Sequence, residues 1–354
     1  MKSILHCIPS LGEGGAERQL AMLTRQLPRY GWEVHVALLK GGVFENEMAP
    51  STVVHRIDHR GNYDPRIAIR LSTLMRRIRP ALVQTWLTQM DIYGGTAALS
   101  RRLRWIATER SSALAYPRRW SNRLRALLVS RADAVVANSR GGLEVWKRSA
   151  SRQLQRVIPN AVTLPADAGD VPSAVPQTAP LVVYAGRLSV EKRLPVFLRA
   201  MAEVRRQVPA VAVICGAGSM AEELRSLARD LSLDDAAIFL GHVDDVTAIV
   251  CRAAVFVFLS RFEGLPNAVQ EAMACGAPLV VSDIPAHREF LDGTMARLVD
   301  GDDVGAVAAA IVECVREGNA ARQRADNALR RAAVWSPEAV AAEYDALYRL
   351  LIAS

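Results

Sequence analysis

Two glutamates on either side of a turn are the first residues in this chain that suggest chemistry. Glu263 and Glu271 stand eight positions apart in RFEGLPNAVQEAMACGAPLVVSD (261–283), and Pro266 and Asn267 between them favour the start of a helix. The free backbone N–H groups of a helix start can bind an anion, and carboxylates accept hydrogen bonds from hydroxyls. The pattern predicts a ligand with hydroxyls on both sides of a diphosphate, such as a nucleotide-sugar. The alternative is a solvated turn whose acids only complement a helix dipole.

A second group of candidate residues is cationic. Arg187 and Lys192 lie five positions apart in AGRLSVEKRL (185–194), directly after Gly186 and an apolar run that predicts a strand. A fork-shaped guanidinium and a compact ammonium beside a helix start suit a phosphate or diphosphate. The alternative is an exposed loop of solvated charges, with a local pair to Glu191.

A glycine-rich loop follows the first predicted strand. In LGEGGAERQL (11–20), Gly12, Gly14 and Gly15 allow the backbone to approach a ligand closely at a helix start. The sixth position of the pattern G-x-G-x-x-G is Glu17 here, so a simple tight turn fits the loop equally well.

A second glycine segment resembles a dinucleotide fingerprint. Gly216 and Gly218 in CGAGSMAEEL (215–224) fit G-x-G-x-x-A after a predicted strand. The acid of that fingerprint is expected at the end of the next strand, about 20 residues on. The next strand ends instead in GHV (241–243), and the first acid after it, Asp244, falls late. A loop near a nucleotide base is therefore favoured over a redox dinucleotide site.

These loops are predicted at the ends of parallel strands. Apolar segments alternate with amphipathic helical segments in both halves, which indicates an α/β fold with two doubly wound, Rossmann-like parallel sheets. The predicted strands are 3–9, 32–39, 81–86, 104–108 and 134–139, then 181–186, 211–216, 237–241, 255–260 and 279–283. Ligands of such sheets bind beyond the carboxyl ends of the strands.

The segment PADAGDVPSAVPQTAP (165–180), rich in proline and alanine, predicts a domain boundary. We expect an N-terminal domain over 1–165 and a C-terminal domain over 166–336. A last amphipathic helix is expected over 337–354, beginning at a proline.

The charge of the chain is polarised. The formal net charge is +8, but residues 1–165 hold 26 Lys and Arg against 11 Asp and Glu, a balance of +15. The remainder has a balance of −7. Basic amphipathic helices are predicted in 66–80 and 117–133, which suits an anionic membrane surface or another polyanion. A general arginine bias of composition is the alternative.

Other features limit the class of protein. No apolar run is long enough to span a bilayer, and the N-terminus lacks the pattern of a signal peptide. The five cysteines are scattered without a C-x-x-C pair, which predicts reduced thiols in a cytosolic protein.

The ordered motifs resemble those of the retaining glycosyltransferases of the GT-B fold, in the large group called family 4. Glu263 and Glu271 are similar to that group's E-x7-E element, and GRLSVEK (186–192) resembles its diphosphate-binding loop. IPNAV (158–162), GEGGAE (12–17) and the C-terminal helix resemble further segments. The resemblance runs nearly end to end. It implies two Rossmann-like domains facing a central cleft, with the acceptor bound by the first, the nucleotide-sugar by the second, and the last helix folding back towards the first.

The resemblance also implies roles for matching positions. Arg187 and Lys192 would hold the donor diphosphate and Glu263 the transferred sugar, which makes these three the implied catalytic residues. Glu271 would take the ribose hydroxyls. Further implied donor contacts come from the glycine loops, the GHV loop and the backbone around the GLPN insert: Gly14, Gly15, Gly216, Val243, Gly264, Leu265, Pro266 and Asn267.

One position departs from the family. Many relatives carry a histidine where TERSS (108–112) places Arg110, so Arg110 becomes a candidate contact for phosphate or acceptor. Such enzymes typically need no metal or other cofactor. Asp300 and Asp302 spell the D-x-D of metal-dependent transferases, but they precede a predicted helix and are interpreted as capping acids.

The implied activity is transfer of a sugar from a UDP- or GDP-linked donor to a glycan or lipid-linked acceptor, in polysaccharide or lipopolysaccharide biosynthesis. The expected location is cytoplasmic and peripheral, at the cytoplasmic face of the inner membrane, with no nucleic acid bound. The alternatives are a sugar-nucleotide epimerase or a phosphorylase of the same fold and, from another class, a basic nucleic-acid-binding protein. No convincing lysine for the phosphorylase's pyridoxal group is evident.

Overall fold

The computed structural model describes residues 2–12, 14–111, 120–147, 153–165 and 169–353. They divide into two compact units: an N-terminal unit of Met1–Ala161 with Pro337–Ser354, and a C-terminal unit of Val162–Ser336. The boundary predicted after Pro165 lies a few residues beyond this division. Parts of the predicted segments 12–17, 108–112, 117–133 and 165–180 lie outside the described residues.

The described residues form thirteen strands and thirteen α-helices. The strands are Lys2–Cys7 (β1), Trp32–Leu38 (β2), Val53–Arg56 (β3), Leu82–Trp86 (β4), Trp105–Glu109 (β5), Ala134–Ala137 (β6), Leu154–Val157 (β7), Leu181–Ala185 (β8), Val211–Cys215 (β9), Ala237–Gly241 (β10), Ala253–Phe258 (β11), Leu279–Ser282 (β12) and Arg297–Val299 (β13). The helices are Gly15–Gln26 (α1), Arg66–Ile78 (α2), Leu87–Ser100 (α3), Trp120–Val129 (α4), Arg140–Glu144 (α5), Leu194–Arg205 (α6), Ala221–Asp230 (α7), Thr247–Cys251 (α8), Asn267–Ala274 (α9), Pro285–Arg288 (α10), Val304–Arg316 (α11), Gly318–Ala333 (α12) and Pro337–Ala353 (α13).

The N-terminal unit is built on a parallel sheet in the order β3-β2-β1-β4-β5-β6-β7. Ile4 of β1 lies opposite Val34 of β2 on one side and Leu82 of β4 on the other. Strands β4, β5 and β6 are buried over their whole length, as expected of a sheet covered on both faces. Helix α13 packs against α1 within this unit.

An ion cluster is buried in the N-terminal unit. Arg125 Nε lies 2.7 Å from Asp91 Oδ2, and Arg125 Nη1 lies 3.1 Å from Glu109 Oε2, with all three side chains at most 3% exposed. Burial raises the pKa of Asp91 to about 6, although the Arg125 charge acts in the opposite direction. Glu109 Oε1 accepts hydrogen bonds from the backbone N–H groups of Arg110 and Ser111, each at 2.9 Å. The cluster therefore anchors the chain as it leaves β5.

The predicted basic helices correspond to α2 and α4. Helix α2 buries an apolar side, whereas the buried residues of α4 are Arg125 and Val129. Both helices leave other apolar residues in solvent: Ile69 is 65%, Trp120 67% and Leu127 56% exposed. Residues 117–119 of the second predicted helix lie outside the described residues. In the part of the chain that the structure describes, no helix combines the length and the apolar character needed to cross a membrane.

The C-terminal unit is built on a second parallel sheet, in the order β10-β9-β8-β11-β12-β13. Leu181 of β8 lies opposite Val211 of β9 and Ala253 of β11. Because all pairs are parallel, the loops after these strands emerge at one edge of the sheet. The predicted fold class, with two doubly wound parallel sheets, is confirmed.

Candidate active site

Two loops meet at the carboxyl edge of the C-terminal sheet. The loop after β8 carries Lys192 and the loop after β11 carries Glu263, and Lys192 Nζ forms an ion pair with Glu263 Oε1. Their side chains are only 15% and 14% exposed. Lys192 Nζ also lies 4.7 Å from the centroid of the Phe258 ring, a cation–π distance. The structure therefore brings together Lys192, one of the two residues that the resemblance assigned to the diphosphate, and Glu263, which it assigned to the sugar.

Arg187 is exposed, and its side chain forms no hydrogen bond or ion pair with the described residues. The backbone beneath it is nevertheless fixed, because the Tyr184 hydroxyl donates to the Arg187 carbonyl at 2.9 Å. The Tyr184 ring is stacked on Phe258, with the centroids 5.9 Å apart. Burial raises the pKa of Tyr184, so its hydroxyl stays a neutral donor. Arg187 thus presents a cation from an anchored loop.

The GLPN insert leads into α9 as the sequence predicts. Pro266 precedes the helix with an extended ψ of 116°, α9 begins at Asn267, and Gly276 with φ +66° follows its end. Glu271 is half-buried and lies one turn inside the helix. Gly264, Leu265 and Pro266 are buried, and Asn267 is half-buried. The contacts implied for these residues with a donor stay predictions.

The glycines of the CGAG segment pack neighbouring loops together. A Cβ atom on Gly216 would lie 1.9 Å from the Gly186 carbonyl oxygen, and one on Gly218 would lie 2.2 Å from the Leu188 carbonyl oxygen. Gly216 also has φ +148°, which side chains rarely allow. Leu188 N donates to Ala217 O across the same junction at 2.9 Å. Loop packing thus accounts for the G-x-G spacing without a redox dinucleotide, and the implied donor contact of Gly216 stays a prediction.

Replacing Gly216 with alanine should destabilise the C-terminal unit by about 3 kcal/mol or more, because a backbone oxygen occupies the space of the new methyl group. Urea unfolding measures the loss. Gly293→Ala is the matched control, since a Cβ there meets nothing within 4 Å. Equal stability of the two variants would contradict the packing argument.

The GHV loop lies beside the CGAG loop. Gly216 N donates to Gly241 O at 2.6 Å, and Gly241 has φ +71°. Val243 is half-buried, whereas His242 is exposed with Nε2 3.2 Å from Asp244 Oδ1. The CGAG and GHV loops are therefore neighbours, and the contact of Val243 with a base stays a prediction.

In the N-terminal glycine loop, the space beside Gly14 is filled by a side chain from the helix that follows. Gly14 is the N-cap of α1, and the Glu17 carboxylate reaches back so far that a Cβ on Gly14 would lie 2.2 Å from Glu17 Oε2. Glu17 is 9% exposed, and its Oε1 accepts from Ser10 Oγ at 3.4 Å. These contacts favour the alternative of a simple tight turn, in which Glu17 complements the helix dipole from the first turn of α1. The donor contacts implied for Gly14 and Gly15 stay predictions.

The Arg110 side chain forms hydrogen bonds and a cation–π contact with residues of the N-terminal unit. Its Nη1 donates to Asn160 Oδ1 at 2.6 Å, its Nη2 donates to the Tyr344 hydroxyl at 2.7 Å, and its guanidinium lies 4.6 Å from the centroid of the Trp86 ring. Arg110 Nε is buried without a hydrogen-bond partner among the described residues. A phosphate or acceptor would have to compete with these contacts, so the role suggested for Arg110 stays a prediction.

The D-G-D acids have structural partners. Asp302 accepts two hydrogen bonds from the Arg193 guanidinium, at 2.9 and 2.6 Å, and Asp300 Oδ1 accepts from the backbone N–H of Asp302 at 2.9 Å. The cap of α11 is the next residue, Asp303, which accepts from Ala306 N. The interpretation of Asp300 and Asp302 as capping acids is therefore wrong by position, because they shape the turn before α11 and the next residue caps the helix. The expectation that no metal is needed stays a prediction.

Sequence analysis missed the residues that hold the Lys192–Glu263 pair. Ser260 Oγ donates to Glu263 Oε1 at 2.5 Å, and Arg193 Nη1 donates to the Ser260 carbonyl at 2.8 Å. The S-x-x-E spacing of Ser260 and Glu263, typical of a capping box, was an available signal. No signal in the sequence pointed to Arg193. Its backbone φ of +50° and its hydrogen-bond partners are determined only by the folded structure.

Comparison with known proteins gives the family. The family model described as Glycosyltransferase Family 4 matches residues 13–164, and the model described as Glycosyl transferases group 1 matches residues 179–317. The solved structure of Anabaena HepE in complex with UDP and glucose has a TM-score of 0.85 at 20% identity, and the match covers 99% of this chain and 100% of HepE. This likeness extends the agreement in fold to the whole chain.

Two curated relatives match over most of their length. The N-acetylgalactosamine-N,N'-diacetylbacillosaminyl-diphospho-undecaprenol 4-alpha-N-acetylgalactosaminyltransferase of Campylobacter jejuni is 25% identical over 316 residues, 84% of this chain and 85% of the relative. The lipopolysaccharide core biosynthesis glycosyltransferase LpsE of Rhizobium meliloti is 26% identical over 331 residues, 90% of this chain and 88% of the relative. Since both halves match glycosyltransferase models in order and the fold agrees throughout, the chain belongs to the family 4 glycosyltransferases of the GT-B fold, glycosyl transferases group 1.

Proposed function

We propose that this glycosyltransferase uses a nucleoside-diphosphate-sugar as its donor and retains the configuration of the transferred sugar. The observation that carries the proposal is the Lys192–Glu263 pair at one edge of the C-terminal sheet, with the exposed Arg187 on the same loop as Lys192. Two cations suit a diphosphate, and an adjacent carboxylate suits sugar hydroxyls. The start of α9 adds backbone N–H groups at the same edge.

In the proposed reaction the acceptor hydroxyl attacks the anomeric carbon on the face from which the diphosphate leaves. A new glycosidic bond forms as the bond from the anomeric carbon to the β-phosphate oxygen breaks, and the acceptor proton passes to the departing phosphate. Lys192 and Arg187 stabilise the charge that develops on the diphosphate, a role that metals have in other transferases. Glu263 orients the sugar, and Glu271 accepts hydrogen bonds from the ribose hydroxyls.

The acceptor in this proposal is a glycan or a lipid-linked glycan of cell-surface polysaccharide or lipopolysaccharide biosynthesis. The name of the C. jejuni relative includes a diphospho-undecaprenol acceptor, and that of the R. meliloti relative includes lipopolysaccharide core biosynthesis. The basic N-terminal half supports the same choice, because α2 and α4 combine arginines with the exposed Ile69, Trp120 and Leu127. Such helices bind anionic lipid surfaces by burial and charge together. The enzyme would then work peripherally at the cytoplasmic face of the inner membrane.

A thermal-shift panel tests the donor site. UDP, GDP, ADP and NAD are each added to the wild type, to Arg187→Ala and to Arg199→Ala, whose arginine is exposed on α6 away from the loop. A ligand present at 100 times its Kd should stabilise the protein by about 2.7 kcal/mol. We expect one nucleoside diphosphate, with UDP as the first candidate because HepE was solved with UDP, to shift the wild type and Arg199→Ala but not Arg187→Ala.

Other outcomes of the panel separate the alternatives. A shift with NAD alone would restore the dinucleotide interpretation of Gly216 and Gly218. No shift with any nucleotide, together with binding to nucleic acid that weakens steeply with salt, would favour the basic nucleic-acid-binding protein. Nucleotide binding with inversion or hydrolysis of the sugar and no transfer would favour an epimerase.

A further inference from the structure

The two carboxylate oxygens of Glu263 have different surroundings. Oε1 receives both the Lys192 ammonium and the Ser260 hydroxyl. Oε2 has no hydrogen bond or ion pair with any of the residues that the structure describes. The Glu263 side chain as a whole is 14% exposed, so it is neither fully buried nor open to solvent. One oxygen is therefore used to hold the carboxylate in place, and the other is available to accept a bond from a ligand.

The hydrogen bond from Ser260 is not a helix cap. Its S-x-x-E spacing matches a capping box, but residues 261–266 form no helix, and α9 begins only at Asn267. The serine side chain therefore does not satisfy a helix terminus. Its hydroxyl instead donates to Glu263 Oε1, and this hydrogen bond orients the carboxylate.

Ser260 is itself held from three directions. It is fully buried, its backbone N–H donates to Ser282 Oγ at 3.0 Å, and its carbonyl accepts from Ser282 Oγ and from Arg193 Nη1, both at 2.8 Å. His287 Nδ1 lies 2.7 Å from the Ser282 carbonyl, and Asp302 holds the Arg193 guanidinium. The backbone of Ser260 is thus fixed by Ser282 at the end of β12 and by Arg193, and this determines where the Ser260 side chain begins.

We infer that Ser260 is a positioning residue for donor-sugar recognition, which fixes Oε1 of Glu263 so that Oε2 meets the sugar. This inference rests on the proposed function. A bound diphosphate attracts the Lys192 ammonium and weakens its hold on the carboxylate, because the ammonium then shares its charge with a second anion. The Ser260 hydroxyl carries no charge and keeps its bond, so Glu263 stays in place when the donor is bound.

A comparison of sugar-nucleotide with nucleotide binding tests the inference without a known acceptor. Isothermal titration gives the Kd of UDP and GDP and of UDP-glucose, UDP-N-acetylglucosamine, UDP-N-acetylgalactosamine and GDP-mannose. For the sugar-nucleotide that binds the wild type best, Ser260→Ala should raise the Kd about 10-fold, equivalent to one hydrogen bond to a charged group. The Kd of the nucleotide alone should stay within about 2-fold, and Ser260→Thr, which keeps the hydroxyl, should restore sugar-nucleotide affinity.

A double-mutant cycle separates positioning from general loss of structure. In a Glu263→Ala background, Ser260→Ala should have no further effect on the sugar-nucleotide Kd, because the group it positions is gone. Ser139→Ala removes another buried serine hydroxyl, the cap of α5, and should leave both Kd values unchanged. If Ser260→Ala does not fold, Ser260→Cys keeps the size with a weak donor and carries the same test.

The outcomes distinguish this inference from the proposed function. Three outcomes would overturn the positioning role alone. In the first, Ser260→Ala weakens the binding of nucleotide and of sugar-nucleotide equally, and in the second, the effects of the two substitutions in the cycle are additive. In the third, Ser260→Ala has no effect on binding although Glu263→Ala selectively weakens sugar-nucleotide binding. Absence of nucleotide binding by the wild type, or a Glu263→Ala variant that binds all ligands normally, would overturn the proposed function and the inference with it.

Discussion

Replacement of Lys192 by alanine is expected to lower sugar transfer about 10²- to 10³-fold, the usual cost of losing one preorganised group that stabilises transition-state charge. Lys192 is the cation nearest Glu263, and its ammonium is held in place by the Glu263 carboxylate and the Phe258 ring. It therefore needs little reorganisation when a diphosphate leaves. Release of the nucleoside diphosphate from the sugar-nucleotide, measured with membrane extract as acceptor source, gives the rate.

The same variant should also lose about 1–3 kcal/mol of stability, since it leaves Glu263 with a buried charge and no cation. The double variant with Glu263→Ala should recover that stability but not the transfer rate. Lys147→Ala is the control: its lysine pairs with Glu144 on the surface at 67% and 51% exposure, so its removal should change neither quantity noticeably. Transfer within a few-fold of the wild type in Lys192→Ala would remove Lys192 from the mechanism.

Sequence analysis predicted every central strand but only one of the four edge strands, β10, whose sequence AIFLG is an apolar run. All ten predicted strands are present, because buried parallel strands appear as nearly continuous apolar runs. The three that sequence analysis missed, β3, β7 and β13, each lie at the edge of a sheet. They are three or four residues long and partly exposed, so their sequences, VVHR, LQRV and RLV, carry little apolar signal.

The candidate site was predictable to the extent that its residues stand at helix and strand junctions. The spacing around Pro266 and Asn267 fixed the start of α9, and the resemblance singled out Lys192 and Glu263. Their mutual contact was not predictable, because it joins loops 71 positions apart in the chain. The glycines at Gly216 and Gly218 could not be assigned from the sequence for a physical reason: close approach of two backbones selects glycine as strongly as close approach of a ligand does.

Replacement of Arg125 by methionine is expected to lower the free energy of unfolding of the N-terminal unit by about 3–5 kcal/mol at pH 8, the usual effect of breaking a buried ion pair from one side. Methionine keeps most of the volume and the contact with the Trp146 ring, which lies 4.7 Å from the Arg125 guanidinium. The loss then comes from Asp91 and Glu109, which are fully buried. Urea unfolding followed by tryptophan fluorescence measures it.

The destabilisation by Arg125→Met should depend on pH in a defined direction. The folded-state pKa of Asp91 is raised from 3.8 to about 6, so the folded wild type binds a proton more tightly than the unfolded chain does. Asp91 therefore favours folding at low pH, and this contribution is lost as the pH rises from about 4 to about 6. Without the Arg125 charge the pKa rises further and the window extends upward. The variant should lie closer to the wild type at pH 5 than at pH 8.

Arg123→Met controls for the general effect of removing an arginine from α4, because Arg123 is exposed on the same helix. It should change stability by no more than about 0.5 kcal/mol at either pH. A loss in Arg125→Met that is the same at pH 5 and pH 8 would show that repacking, not the two buried acids, determines it. A loss of stability confined to high pH would show that the charges of the buried acids determine it. Because Glu109 also accepts hydrogen bonds from the N–H groups of Arg110 and Ser111, the Arg125 charge would then also stabilise the segment that follows β5.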